Sequence, residues 1–206
     1  SDTVRGVPAV EIEGKYARAV KLPDGRLVVS HVEGKSGSKE DIANTEIVQK
    51  AFAEYSADDG RTWSEPQFLF DFPKSAGRYG GNMILCDRDS NIHLFGSHYF
   101  HWDWGKFAGK NLMYHVMSND GGETWMPLQF CDFGYQYTGG FTMTMQLSSG
   151  RLLIPVGFAA EHVRRWGTVN VVSDDGGQTW STGREKLLRN DVDLDEATCV
   201  ELSDGR

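Results

Sequence analysis

One octapeptide recurs three times in this chain, and the recurrence limits the fold more than any other feature. Ser56-Ala57-Asp58-Asp59-Gly60-Arg61-Thr62-Trp63 is matched by Ser118-Asn119-Asp120-Gly121-Gly122-Glu123-Thr124-Trp125, and again by Ser173-Asp174-Asp175-Gly176-Gly177-Gln178-Thr179-Trp180. The shared pattern is S-x-D-x-G-x-T-W, with 62 and then 55 residues between successive aspartates. A repeat of that period marks an array whose units bury surface against their neighbours. A looser repeat falls between the copies. It reads Leu22-Pro23-Asp24-Gly25-Arg26-Leu27, Arg88-Asp89-Ser90-Asn91-Ile92, Ser148-Ser149-Gly150-Arg151-Leu152 and Ser203-Asp204-Gly205-Arg206. Each is a small polar turn between apolar stretches, the signature of a β-hairpin. The two repeats alternate, so one unit holds two hairpins, or four strands.

The intervening residues read as those strands. Segments 26–32, 92–95 and 151–156 are rich in β-formers. Leu112, Tyr114 and Val116 alternate with other residues, as do Thr168, Asn170 and Val172. No long segment has helical periodicity with caps at both ends, although 38–49 has room for a turn of helix. The expectation is an all-β fold, a β-propeller of four-stranded antiparallel blades. The whole chain, 1–206, reads as one such domain. Its blades are expected at about 16–65, 80–127 and 139–182, with a fourth beginning at about 196.

The octapeptide itself has a structural reading. Asp58, Asp120 and Asp175 can accept hydrogen bonds from the backbone that follows them, as in an Asx-turn. Gly60, Gly122 and Gly177 supply positive φ. The hydroxyls of Ser56, Ser118 and Ser173, and of Thr62, Thr124 and Thr179, can tie the two arms together. Trp63, Trp125 and Trp180 each offer a large ring to bury between blades. One such motif carries too few carboxylates for a calcium cage. It therefore predicts a hairpin lock rather than a metal site, and no cofactor is expected.

Composition narrows the partners. With 21 Lys+Arg against 29 Asp+Glu, the formal net charge is −8, which repels a polyphosphate and argues against nucleic acid. No apolar run approaches the roughly 18 residues of a membrane helix, and no charged-then-apolar leader opens the chain. Cys86, Cys131 and Cys199 are odd in number and far apart. They support neither a disulfide framework nor a zinc site.

The three octapeptides resemble the Asp boxes, or bacterial neuraminidase repeats, of the sialidase superfamily. The resemblance runs from about Tyr16 onward and implies a six-bladed propeller, of which this chain would hold three blades and the start of a fourth. An open half-propeller leaves blade faces and edges unpaired. The remaining blades are therefore expected from a longer protein or from a second chain.

The resemblance also implies a site. Asp195-Glu196-Ala197-Thr198-Cys199-Val200-Glu201-Leu202 is similar to the sialidase segment in which a glutamate starts an inner strand, followed after four residues by Val-Glu-Leu and a D-G turn. Glu196 falls on that glutamate, which in the family polarises a tyrosine nucleophile. A phenol sharing its proton with a glutamate escapes the repulsion that a carboxylate nucleophile would meet from the carboxylate of sialic acid. The general acid of such enzymes is an aspartate on a loop after the first blade's second strand. That loop is Glu33-Gly34-Lys35-Ser36-Gly37-Ser38-Lys39-Glu40-Asp41-Ile42 here, with Asp41 the candidate and Glu40 its alternate.

Family members grip the sugar carboxylate with three arginines, since a guanidinium holds it bidentately. The first belongs to an R-I-P sequence opening blade 1. At that spacing this chain has Lys15-Tyr16-Ala17, and Arg18 lies three residues on. In a regular strand Arg18 falls on the other face. Lys15 could replace the charge but not the fork. The other two arginines and the tyrosine are expected beyond Arg206.

Weaker pocket candidates are Arg78, before the inner strand expected at 80–86, and Trp102 in Ser97-His98-Tyr99-Phe100-His101-Trp102-Asp103-Trp104. Rings there can stack on a sugar or simply pack beneath a loop. Ordinary loop polarity explains His98, His101 and Asp103 better than a metal trio does. In Glu161-His162-Val163-Arg164-Arg165-Trp166 a solvated face is the default, with an anion contact through Arg164 or Arg165 the alternative.

Three readings follow. The first is a retaining exo-glycosidase that cleaves terminal sialic acid or a related sugar from glycoconjugates. The second is a propeller glycosidase of other specificity, which the missing R-I-P favours. The third is a non-catalytic carbohydrate- or protein-binding propeller, because Asp boxes report fold rather than function. The resemblance favours a secreted or periplasmic location, a glycan partner, and neither nucleic acid nor membrane as partners.

Overall fold

The computed structural model describes residues 15–33, 49–72, 79–100, 109–160 and 164–206. Thirteen strands make up the described regular structure, and no described residue is helical. The first sheet is β1 (Lys15–Lys21), β2 (Leu27–Glu33), β3 (Lys50–Ser56) and β4 (Gln67–Asp71), in that order and antiparallel throughout. The second repeats it with β5 (Tyr79–Cys86), β6 (Ile92–Tyr99), β7 (Asn111–Ser118) and β8 (Gln129–Cys131). The third comprises β9 (Thr138–Gly139), β10 (Met145–Gln146), β11 (Leu152–Ala160), β12 (Arg165–Ser173) and β13 (Ser181–Leu187). The expectation of four-stranded antiparallel units is borne out. In each sheet the octapeptide joins the last two strands, so the last strand follows the tryptophan.

The looser repeat is one turn made four times. Leu22 N–H donates to Arg26 O at 2.7 Å and Gly25 N–H to Leu22 O at 3.0 Å. Asp87 with Asn91, Leu147 with Arg151, and Leu202 with Arg206 repeat the first bond at 2.9, 2.8 and 2.6 Å. Gly25, Gly150 and Gly205 hold φ between 82° and 92°, and Ser90 takes the position at 69°. These turns close the first hairpin of each sheet, and the Asp boxes close the second. Antiparallel alternation therefore puts both at the same end of the molecule.

Apolar residues fill the joints between sheets. One core combines Val28, Val32, Ala51 and Ala53 of the first sheet with Ile84, Ile92, Leu94, Tyr114 and Val116 of the second. The next combines Met83, Phe95 and Met113 of the second with Ile154, Val156, Phe158 and Val171 of the third. Trp125, from the second sheet, packs on the first core, and Trp180, from the third, packs on the second. Sheets that share faces with both neighbours in this way are fanned as blades, not stacked as a sandwich.

Two irregularities matter for the site. A bulge separates Lys15, which pairs with Val32, from Arg18, which pairs with Ser30. Val32 and Ser30 share a face of β2, so the bulge carries Arg18 to the register face of Lys15. The other-face expectation assumed a regular strand and is corrected here. In the third sheet, β9 pairs with Gly157 and Phe158 of β11, whereas β10 pairs with Leu152 and Leu153. Residues 140–144 leave the ladder between them. Pro155, with no N–H to contribute, pairs with Asn170 of β12 but lies where the opposite edge of β11 has no partner.

Candidate functional site

The Asp-box end is a lock. Ser56 Oγ donates to Asp58 Oδ1 at 2.8 Å and accepts Gly60 N–H at 2.8 Å. Asp58 in turn accepts Thr62 N–H at 2.8 Å and Thr62 Oγ1 at 2.7 Å. The second box repeats the set through Ser118, Asp120, Gly122 and Thr124, and the third through Ser173, Asp175, Gly177 and Thr179. The Thr62 amide, then the Thr62 and Ser56 hydroxyls, hold the Asp58 carboxyl down to about 2. In the other two boxes the threonine hydroxyl leads, with the same result of about 2. With its oxygens committed inside the loop, the carboxylate is part of the hairpin. Among the described residues no group of three or more His, Cys, Asp or Glu side chains could hold a metal ion.

The second and third boxes also fasten their sheets to the preceding ones. Arg26 Nη2, Tyr55 Oη and Gln67 Nε2 of the first sheet donate to the successive carbonyls of Gly121, Gly122 and Glu123, at 3.2, 3.0 and 3.2 Å. At the next joint Trp180 Nε1–H is shared between Gly177 O at 3.1 Å and His115 Nδ1 at 3.3 Å. His115 Nε2 lies 3.1 Å from His93 Nδ1, and His93 Nε2 lies 3.1 Å from Asp87 Oδ2. An indole N–H can only donate, so every tautomer follows. His115 carries its proton on Nε2 and donates to His93, which carries its own on Nε2 and donates to Asp87. Burial lowers His115 to about 3. Burial also lowers His93, against the opposing pull of Asp87. Burial works against the Asp87 carboxylate, but bonds from Asn91 and His93 outweigh it and leave the group lowered. A groove of about 760 Å³ opens above this relay and is lined in part by Asp89, Asn91, Asn119 and Gln178. It lies at the Asp-box end, away from Glu196.

The opposite end carries the candidate chemistry. Residues 194–202 run beside the third sheet without forming a regular strand. Thr142 Oγ1 donates to Ala197 O at 2.6 Å, and Cys199 N–H points to Met143 Sδ at 3.0 Å. Ser148 donates from N and Oγ to the two oxygens of Glu201, at 2.8 and 2.6 Å. Thr168 Oγ1 donates to Leu194 O at 3.1 Å. The segment leads into the fourth copy of the turn, so Glu196 sits at its start, on the side away from the Asp boxes. Glu196 has φ 51°, a conformation unfavourable for a residue with a Cβ. Burial raises the carboxyl of its neighbour Asp195, and the charges of Glu196 and Asp193 add to the shift.

The other sequence candidates are distributed as follows. Arg18 is exposed and donates from Nη1 to Ala17 O at 3.1 Å. No hydrogen bond or ion pair links it to Glu196. Lys15 is placed as a strand residue through its backbone. Asp41, Glu40, Arg78, Trp102, His101 and Asp103 lie outside the described residues. His98 and Tyr99 belong to the buried strand β6, and His98 stacks on Phe72 at 5.6 Å. The described part of that aromatic segment is packing. Sequence reasoning missed the Asp87–His93–His115–Trp180 relay, and it passed over Asp195 beside Glu196. The signal for Asp195 was a pair of distant glycines, Gly140 and Gly157, which no local pattern connects to it.

The profile of the BNR repeat-like domain matches residues 18–200. No functionally curated protein matches the chain. Among solved structures, the Hadza microbial sialidase Hz136 superposes with a TM-score of 0.65 at 17% identity, over 81% of this chain and 36% of that one. The NanB sialidase from Streptococcus pneumoniae gives 0.57 at 15% identity, over 82% and 44%. The α-L-arabinanase from Penicillium chrysogenum gives 0.57 at 15% identity, over 88% and 52%. The chain thus spans about a third to a half of the length of these structures. At such identities the likeness establishes the fold alone, a β-propeller of four-stranded blades.

Proposed function

Because the chain belongs to the BNR repeat-like domain family, we propose that it contributes the Glu196 side of the active site in a retaining, sialidase-type exo-glycosidase. The observation that carries this reading is Glu196 itself. It occupies a left-handed conformation at the start of the fourth inner segment, opposite the Asp boxes, on a stretch bonded to the third sheet. A non-glycine residue kept in such a conformation is costly and is retained where geometry serves function. In this reading Glu196 polarises a tyrosine supplied by blades beyond this chain, and Asp41 protonates the leaving oxygen. Arg18, Lys15 and Arg78 face the sugar acid, and Trp102 stacks on its ring.

A second reading has the same fold acting on another sugar. Lys15-Tyr16-Ala17 in place of the carboxylate-gripping R-I-P favours it, and the likeness to an arabinanase is compatible with it.

The complete protein carrying this chain should release 4-methylumbelliferone from a sialyl conjugate. Glu196→Gln should lower kcat by about a hundredfold or more. Release from an arabinosyl but not a sialyl conjugate selects the second reading. No release from any aryl glycoside selects a binding propeller. An undiminished rate in both Glu196→Gln and Asp41→Asn refutes the residue assignments.

A further inference from the structure

We propose that Asp195 is a positioning residue for Glu196, with its carboxylate seated in a slot formed by Gly140 and Gly157 and its Oδ1 accepting the Glu196 amide; this rests on the reading of Glu196 given above. The hydrogen bond from Glu196 N–H to Asp195 Oδ1 is 2.9 Å. A Cβ added at Gly140 would come 2.5 Å from that same oxygen, and one at Gly157 would collide with it outright. Two glycines far apart in sequence therefore leave room for one carboxylate. The slot exists because the third sheet's inner strand is interrupted, with residues 140–144 out of the ladder opposite Pro155.

The flanks of the segment are fixed independently. Leu194 N–H donates to Trp166 O at 2.9 Å and Trp166 N–H to Asp193 Oδ1 at 3.0 Å. Thr168 holds Leu194 O and Thr142 holds Ala197 O. Between these anchors, Glu196 is the residue that departs from ordinary backbone, and Asp195 Oδ1 is the group bonded to its amide. The Cα–Cβ direction follows φ and ψ, so fixing this amide fixes the direction in which the Glu196 carboxylate leaves the chain. The slot exacts a cost in placing a carboxylate beside two others, Asp193 and Glu196, where burial disfavours its charge. Packing alone would be served as well by a neutral residue.

Crystal structures and kinetics of Asp195→Asn, Asp195→Ala and Gly157→Ala in the complete protein test this. Asp195→Asn keeps an acceptor oxygen and should keep Glu196 left-handed, with kcat close to that of the parent. Asp195→Ala and Gly157→Ala should release Glu196 to negative φ and lower kcat about tenfold, with KM within about twofold. Glu196 remaining at positive φ in folded Asp195→Ala, or a kcat equal to the parent's in that variant, overturns the proposal. If the parent protein shows no glycosidase turnover, the functional reading fails, and the position of Glu196 in the Asp195→Ala crystal still decides for or against positioning.

Discussion

His93 Nδ1 and His115 Nε2 face each other at 3.1 Å across neighbouring strands of the second sheet, with Trp180 donating into the pair and Asp87 accepting from it. The relay crosses a blade joint and works only with both rings neutral, since protonating His115 Nδ1 would set it against the indole N–H. Unfolded histidines take protons near pH 6.5, whereas His115 and His98 stay neutral in the fold down to about 3 and about 4. The unfolded state therefore binds protons first. Stability is full above about pH 6.5 and falls on acidification, continuing toward those lower values, by up to about 1.4 kcal/mol per pH unit for each such histidine. Asp195, raised by burial, takes its proton earlier in the folded state and offsets part of the loss. Urea midpoints should drop steadily between pH 7.5 and 5. His115→Phe should flatten that slope while costing about 1–3 kcal/mol at pH 7.5 through the partners it strands. A midpoint independent of pH over this range contradicts buried neutral imidazoles.

Trp125 seals the joint between the first two sheets, so Trp125→Ala should destabilise the protein by about 3 kcal/mol, the lower end for a large aromatic that is only partly buried. Trp63 belongs to none of the three core clusters among the described residues, and Trp63→Ala in this chain should cost clearly less. Equal losses in chemical denaturation would show that the tryptophans act within their own hairpins rather than across joints.

Ser118 is buried, and its Oγ both donates to Asp120 and accepts the buried Gly122 amide. Ser118→Ala leaves that amide without an acceptor and should cost about 1–3 kcal/mol. Calorimetry on the purified variant measures it, and a change within about 0.5 kcal/mol, the range of an ordinary surface substitution, contradicts the role of the hydroxyl.

Gly122 has φ 91°, and a Cβ there would run into the Tyr55 hydroxyl of the neighbouring sheet. Gly122→Ala combines a disfavoured conformation with a clash across the joint and should destabilise by about 2–4 kcal/mol. Gly134, also left-handed at φ 79° but with nothing near its Cβ position, isolates the conformational part. Gly134→Ala should cost only about 1 kcal/mol. If the two substitutions cost the same, the contact with Tyr55 carries no weight.

The Asp boxes were readable because their network is local. Ser118, Asp120, Gly122 and Thr124 bond one another within seven residues, so the octapeptide contains its own explanation. The four turns were readable for the same reason. The relay was not, because the Asp87–His93 turn, His115 and Trp180 lie on three separate segments, and no pattern marks either histidine or joins them to the octapeptide's tryptophan. Arg18 shows a subtler failure. Period-two reasoning assigns its face correctly only in a regular strand, and a bulge has no reliable mark in so short a stretch. Glu196 was found by its likeness to a known segment, whereas Asp195, one residue away, becomes visible only once Gly140 and Gly157 are seen to converge on it.

Since Trp125 closes the joint with the sheet made before its own, and Trp180 does the same one sheet later, the molecule has a built-in direction of growth. Each newly synthesised unit arrives carrying the wedge that clamps it to material already folded, and it needs nothing downstream to do so. The joints are therefore completed in chain order, each by the tryptophan of the later of its two sheets.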